Sequence, residues 1–168
     1  MKTIYIVAAF LLAVTVSYGQ TSSSFSTDLK TLDGITIASD EAIISGGQTM
    51  LVLWESNSNQ CVQNLENLQD LWFESLKDEG VNFVSVCIDV NGYYSKLKPY
   101  VYGNGWEFDT YIDVNGDFRR TIGVKELPCT ILLDSRNNQI VRYEGFPAES
   151  EDILNKITFS QPTAYIEY

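Results

Sequence analysis

Histidine is absent from this sequence of 168 residues, and cysteine occurs only three times. Without imidazole the chain cannot use Ser-His-Asp or Cys-His catalysis, and it lacks the commonest metal ligand in proteins. The cysteines have no regular spacing that would predict a structural zinc site; they are Cys61, Cys87 and Cys129. We therefore expect neither a metal nor a cofactor.

Basic residues are also scarce. The sequence has 11 lysines and arginines against 22 aspartates and glutamates, and its formal net charge is -11. Nucleic acids and anionic membrane surfaces are bound through clustered basic side chains. The charge balance therefore argues against both kinds of partner, and it is typical of a protein that is kept in solution by its charge.

The N-terminus carries an apolar run at residues 4–16, which is shorter than the ~20 residues that span a bilayer. Lys2 precedes the run, and the small residues of Ser17-Tyr18-Gly19 follow it, as in a secretory signal peptide. We predict cleavage after Gly19 and export to the periplasm or the extracellular space. An uncleaved N-terminal anchor is the alternative, and no membrane span is expected after cleavage.

The remaining chain predicts one domain. Residues 1–19 form the predicted signal peptide, and residues 20–26, which are mostly polar, form a flexible lead-in. Residues 27–160 have the length of a single domain and carry alternating strand and helix patterns. Residues 161–168 form a C-terminal tail.

An odd number of cysteines in an exported chain leaves at least one thiol unpaired within it.

The first half of the domain predicts a hairpin followed by two strands. Asp33-Gly34, between alternating apolar residues, is a strong hairpin turn signal. Residues 50–54 and 83–88 are short continuous apolar runs, which are typical of strands buried on both faces.

A helix is predicted between these two strands. Apolar residues recur at helical spacing from Cys61 to Leu76. Ser58 is a suitable N-cap, and Gly80 is a suitable C-terminal stop. The strand, the helix and the next strand together predict a βαβ crossover.

The second half predicts shorter elements. They are a helix at residues 94–101 that Pro99 limits, a strand at 110–112, a turn at 115–116, a helical segment at 117–122, a hairpin of strands 130–133 and 139–143, and a helix at 149–157. The pattern predicts an α/β fold with a central mixed β-sheet, flanking helices and an N-terminal β-hairpin.

Three stretches, in this order, resemble the thioredoxin superfamily, specifically its exported bacterial TlpA-like branch. They are Leu51-Val52-Leu53-Trp54 followed by Ser58-Asn59-Gln60-Cys61, then Gly105-Trp106-Glu107-Phe108 running into residues 111–124, and Leu127-Pro128-Cys129-Thr130 followed by Ile131-Leu132-Leu133-Asp134. The resemblance covers roughly residues 25–158 and implies a thioredoxin-like fold.

The Cys-x-x-Cys motif of that family stands here as Ser58-Asn59-Gln60-Cys61. Dithiol exchange needs one thiolate that attacks and a second thiol that resolves the mixed disulfide. A hydroxyl cannot form a disulfide, and no histidine is present to activate it, so Ser58 is expected to cap the helix. Cys61 matches the resolving position and is either a small buried hydrophobic residue or a reactive single thiol.

By the same resemblance, Pro128 would be the cis-proline that lies against the redox site and helps to seat the chain of a partner. We therefore predict a redox-impaired binding module that takes a protein or peptide partner in a groove. The groove residues are Trp54, Ser58, Leu127 and Pro128.

Two enzymatic alternatives remain open. Cys129 directly follows Pro128 and is expected to lie near Cys61, so a thiol-disulfide oxidoreductase could use Cys61 with Cys129 or with an external thiol. A packed core thiol is the other interpretation of Cys129, and Cys87 is expected in the core. A thiol peroxidase is the weaker alternative: Ser58-x-x-Cys61 resembles the Thr-x-x-Cys of peroxiredoxins, but Trp54 stands where they carry proline.

Overall fold

The computed structural model describes residues 27–43, 46–88 and 94–160. The predicted signal peptide, the lead-in and the C-terminal tail lie outside the described residues. The elements in chain order are β1 (Asp28–Thr31), β2 (Thr36–Ala38), α1 (Ser39–Ala42), β3 (Thr49–Trp54), α2 (Asn59–Leu71), a π-helical segment (Trp72–Leu76), β4 (Asn82–Cys87), α3 (Tyr94–Gly103), β5 (Asp109–Ile112), α4 (Asp117–Thr121), β6 (Cys129–Leu133), β7 (Gln139–Glu144) and α5 (Ser150–Ser160).

The strands form one mixed sheet of seven strands in the order β2-β1-β5-β4-β3-β6-β7. The three central strands β3, β4 and β5 run parallel, and the strands on both sides of them pair antiparallel. The parallel pair β3 and β4 is joined through α2, which is the predicted βαβ crossover. The predicted α/β class with a mixed sheet is confirmed.

The predicted N-terminal hairpin is present as β1 and β2. Its turn closes through a hydrogen bond from the backbone amide of Thr31 to the carbonyl of Ile35, 2.9 Å long. Gly34 has a φ of 80°, a left-handed conformation that glycine adopts without a steric penalty. The other side of β1 pairs with β5, which joins the hairpin to the central sheet.

Two apolar cores lie on the two faces of the sheet. The first core lies between the sheet and the helices α2, α3 and α5, and the second lies on the opposite face with α1 and α4. Alternate residues of β3 enter different cores, so that Val52 belongs to the first and Leu53 to the second. Every residue of β3 is buried, as its continuous apolar sequence predicts.

The predicted helix after Ser58 is present, but its last turn differs from a regular α-helix. Residues Trp72–Leu76 form a π-helical segment, in which the amide of Lys77 donates to the carbonyl of Trp72. A period of 3.6 and the wider π turn both leave Trp72 and Leu76 buried, so the apolar pattern does not distinguish them. Gly80, at a φ of 76°, follows this helix as predicted.

The later elements match their predicted order with small shifts. Helix α3 continues to Gly103 and contains Pro99, so the proline does not end the helix. Helix α1 has only four residues and was not predicted, because no apolar periodicity can be read over so short a segment.

Candidate functional site

Three chain segments meet at one edge of the sheet, which is the edge where β3 ends and β6 begins. In the antiparallel pair of β3 and β6, Leu53 lies opposite Cys129, so the end of β3 adjoins the start of β6. Cys129 also lies opposite Glu144 at the end of β7. This register brings together the start of α2, the loop before β6 and the loop after β7.

Ser58 is the N-cap of α2. Its backbone is extended, with φ -103° and ψ 110°, and its side-chain Oγ accepts a hydrogen bond of 3.3 Å from the amide of Cys61. The carbonyl of Ser58 accepts from the amide of Val62 at 3.0 Å. The hydroxyl therefore satisfies an amide of the first helical turn, which is the role that the sequence predicts for it.

Cys61 is packed inside the first core, and only 1% of its surface is exposed. A cysteine that exchanges disulfides has to present its thiolate to a partner. Cys61 does not do so in this structure, and its position corresponds to the small buried hydrophobic residue.

Cys129 lies in the second core, on the opposite face of the sheet from Cys61. The expectation that these two thiols lie close together is not met, because Cys129 pairs with Leu53 and both side chains point away from α2. Burial raises the pKa of the Cys129 thiol to about 12. All three cysteines are buried and none of them forms a disulfide with another, and Cys87 lies in the first core as predicted.

The other predicted groove residues differ in how much of them a partner can reach. The peptide bond between Leu127 and Pro128 is cis. Pro128 and Trp54 are buried, whereas Ser58 and Leu127 are half-buried. Leu127 contacts both cores. Trp54 and Pro128 are therefore closed to a partner in this structure, and Ser58 and Leu127 are the two that a partner can reach.

Phe146 is an accessible residue of this edge that the sequence analysis missed. It follows Gly145, whose amide donates to the carbonyl of Pro128 at 3.0 Å. The ring of Phe146 is 55% exposed and makes an edge-to-face contact with Tyr143, with 6.4 Å between ring centroids. No periodicity marks a single aromatic residue in a loop, so only its position after a strand could have indicated Phe146.

Solved structures share this arrangement of sheet and helices. The solution structure of an uncharacterized thioredoxin-like protein from Porphyromonas gingivalis superposes with a TM-score of 0.69 at 24% sequence identity, over 80% of this chain and 88% of that chain. The chain has a thioredoxin-like fold. No protein-family model matches the sequence, and no curated protein matches it.

Two further structures with the thioredoxin-like fold come from exported proteins. A secreted disulfide oxidoreductase of Mycobacterium tuberculosis, homologous to Escherichia coli DsbE, gives a TM-score of 0.64 at 13% identity, over 81% of this chain and 97% of that chain. The exposed lipoprotein thioredoxin Etrx1 of Streptococcus pneumoniae gives 0.62 at 20% identity, over 79% and 98%. At these identities the likeness concerns the fold.

Charged side chains hold the loop before β6 in this fold. Glu144 accepts hydrogen bonds from the amides of Lys125 and Glu126, the latter at 2.9 Å. These bonds, chiefly that from Glu126, hold the pKa of Glu144 below its usual value. Arg119 and Arg142 donate to loop carbonyls, which are those of Val124, Lys125 and Ile122. The position of Leu127 and Pro128 therefore rests on three side chains from neighbouring elements.

Asn64 ties α2 to two other parts of the fold. It is 1% exposed, and its side-chain Oδ1 accepts from the amide of Ala148 at 3.1 Å. Its Nδ2 donates to Oγ1 of Thr130 at 3.4 Å. The sequence did carry a signal for this residue, because an amide between Cys61 and Leu65 interrupts the apolar face of the helix.

Within the three described ranges, no helix has the length and apolar character needed to cross a membrane. The same ranges contain no group of three or more cysteines, aspartates or glutamates arranged to hold a metal ion.

Proposed function

We propose that this chain is an exported thioredoxin-like protein with a degenerate redox site, and that it acts as a redox-impaired binding module. One observation carries this proposal: Ser58 stands where dithiol exchange needs a thiolate, and its hydroxyl accepts the amide hydrogen of Cys61. A hydroxyl cannot form the mixed disulfide through which exchange proceeds. The burial of Cys61 also supports a loss of redox activity.

The proposed partner is an extended segment of a protein or peptide. It would lie across the edge of the sheet and contact Ser58, Leu127 and Phe146, with the buried Trp54 and Pro128 behind them. Two apolar side chains at this edge can contact an apolar side chain of the partner. Leu127 is half-buried, and Phe146 is mostly exposed. The signal-peptide pattern and the exported proteins among the structural neighbours support export.

Reduction of insulin by dithiothreitol tests the redox half of the proposal. The mature wild-type protein and its Cys61→Ser variant should both leave the uncatalysed rate unchanged, because the attacking thiol is missing. The Ser58→Cys variant, which rebuilds a Cys-x-x-Cys motif on the same helix, should accelerate the reaction and shows that the assay can detect activity. Catalysis by the wild-type protein that Cys61→Ser abolishes would establish the oxidoreductase alternative with Cys61 instead.

Binding of a carbamidomethylated insulin B chain, an extended polypeptide without free thiols, tests the other half. Its affinity, measured by isothermal titration calorimetry, should fall about fivefold or more in the Phe146→Ser variant, which removes an exposed aromatic ring from the proposed groove. Ile35→Ser is the matched control, because Ile35 is 65% exposed on the hairpin, far along the sheet from this edge. Equal affinities in all three proteins would contradict a binding role for this edge.

A further inference from the structure

The π-helical segment places one lysine over two aromatic rings. In this wider turn the amide of Lys77 bonds to the carbonyl five residues earlier, at Trp72. The Lys77 Nζ then lies 5.0 Å from the ring centroid of Trp72 and 4.9 Å from that of Phe73. Both distances are within the range of a cation–π interaction.

A cavity of about 220 Å³ adjoins these rings, between the end of α2 and the loop after α3. Besides Trp72 and Phe73, its walls carry three carboxylates, those of Asp70, Glu74 and Glu107. None of its lining residues is basic. A cavity with aromatic faces and carboxylates on its walls has the chemistry that attracts an organic cation.

Gln69 is one of the residues that line the same cavity, and its side chain carries an unused hydrogen-bond acceptor. Its side-chain Oε1 is buried and has no hydrogen-bond partner among the described residues. A buried carbonyl without a donor is costly, so a ligand that brings an N–H group into the cavity would gain free energy there. This acceptor is independent of the acidic side chains around it.

The Trp72 ring is held rigidly, which favours its use as a binding surface. Its Nε1 donates to the carbonyl of Val81 at 2.7 Å, and the ring makes an edge-to-face contact with Phe83 at 5.9 Å. Phe73, by contrast, is 57% exposed. One ring is therefore fixed in the fold, and the other is a lining residue that is mostly open to solvent.

Lys77 places its ammonium over the same two rings without lining the cavity, and it is held weakly. Its Nζ pairs with Oε2 of Glu107 at 2.9 Å, and the two side chains are 40% and 60% exposed. Exposed ion pairs of this kind contribute little to stability, so the lysine can leave the rings at small cost.

We propose that this cavity binds the arginine side chain of a basic peptide partner, with the guanidinium group stacked on the rings in place of the Lys77 ammonium. The planar guanidinium stacks on aromatic faces and donates through five N–H groups, which suits the carboxylates and the Gln69 carbonyl. A protein with a formal net charge of -11 also attracts basic partners at long range. The site lies at the opposite end of α2 from Ser58, about 20 Å along a helix of 13 residues, so it does not depend on the proposed groove.

A titration followed by ¹H–¹⁵N NMR tests the proposal, with the peptide acetyl-Gly-Arg-Gly-amide as the probe. The indole N–H signal of Trp72 should shift in a saturable manner, whereas that of Trp54 at the far end of the first core should not. The citrulline peptide, which has the same shape but no charge, should bind about tenfold more weakly or worse. Equal shifts with both peptides would overturn the proposal.

Two pairs of variants separate the cavity from the overall charge. Asp70→Asn/Glu74→Gln should weaken binding of the arginine peptide about tenfold, while Asp40→Asn/Glu41→Gln, an equal charge change on α1, should not. Lys77→Gln should strengthen binding about threefold, because it removes the competing ammonium, while Lys96→Gln on α3 should leave it unchanged. If the two variants of either pair change the affinity for the arginine peptide equally, net charge alone determines binding and the proposal is wrong.

Discussion

At the scale of single residues, the loop before β6 depends on an ionised carboxylate. Glu144 accepts two backbone amide hydrogen bonds and lies beside Arg142, whose Nη1 is 3.8 Å from its Oε2. Both interactions favour the charged form and lower the pKa of Glu144. A group whose pKa is lower in the folded state stabilises the fold above its unfolded pKa, and this contribution is lost as the pH falls through the folded pKa.

The variant Glu144→Gln should therefore lose stability in a manner that depends on pH. At neutral pH its free energy of unfolding should be about 1 kcal/mol below that of the wild-type protein, because the amide keeps an acceptor but not its charge. The difference should shrink as the pH falls below the ordinary glutamate value of 4.5. Urea unfolding at several pH values measures it, with the exposed Glu149→Gln as control. A deficit that stays constant from neutral to acidic pH would contradict the assigned role.

At the scale of elements, α2 is fixed to the rest of the fold by one buried amide as well as by apolar packing. Asn64 reaches Thr130 on β6 and Ala148 in the segment before α5, so a single side chain links α2 to a strand and to a loop. This link also bears on the candidate site, because α2 begins directly after Ser58 and β6 begins directly after Pro128.

Replacing Asn64 by leucine should cost about 2 kcal/mol of unfolding free energy, because the buried amide of Ala148 then loses its acceptor. Asn67→Leu makes the same substitution on an exposed position of the same helix and should change stability by less than about 0.5 kcal/mol. Chemical denaturation followed by tryptophan fluorescence measures both. Equal free energies of unfolding in the two variants would mean that the hydrogen bonds of Asn64 do not stabilise the fold.

Local chemistry made several of these elements predictable from the sequence. Asp33-Gly34 identifies the hairpin because few residue pairs accept its turn, and Ser58 identifies the start of α2 because an N-cap needs a short polar side chain. The π-helical segment could not be predicted in this way. A spacing of four residues between Trp72 and Leu76 keeps both side chains buried in either kind of turn.

The candidate site could be predicted only in part, because strand register decides which face a side chain takes. Ser58, Cys61 and Pro128 are placed by their motifs. Cys129 enters the second core because it lies opposite Leu53, and a shift of one residue would have moved it to the side of Cys61. Such a register is set by the packing of the whole sheet, which the order of residues around Pro128 does not contain.

At the scale of the whole molecule, the excess of acidic residues acts against the stability of the folded state. Ion pairs among the described residues include Lys77–Glu107, Lys98–Asp33, Arg120–Asp117 and Arg142–Glu144. The sequence supplies only 11 basic residues against 22 acidic ones. Most carboxylates therefore repel one another across the surface, and this repulsion opposes the compact state.

Added salt should consequently stabilise the protein. Raising sodium chloride from about 20 mM to about 200 mM shortens the Debye length from roughly 20 Å to below 10 Å and should raise the melting temperature by about 2–4 °C. Differential scanning calorimetry measures the change, and potassium chloride at the same ionic strength should have the same effect because screening does not depend on which alkali cation supplies it. A lower melting temperature in salt would mean that attractive pairs outweigh the repulsion.

The two outer strands of the sheet, β2 and β7, affect how readily copies of this protein aggregate. β2 has only three residues, and β7 departs from regular pairing with β6 between Leu132 and Leu133. Short and irregular edges give an incoming strand few aligned hydrogen-bonding groups, and they hinder aggregation through edge-to-edge pairing. A concentrated solution of the folded protein should therefore form no cross-β fibres, although the sheet of the described residues ends in two edge strands.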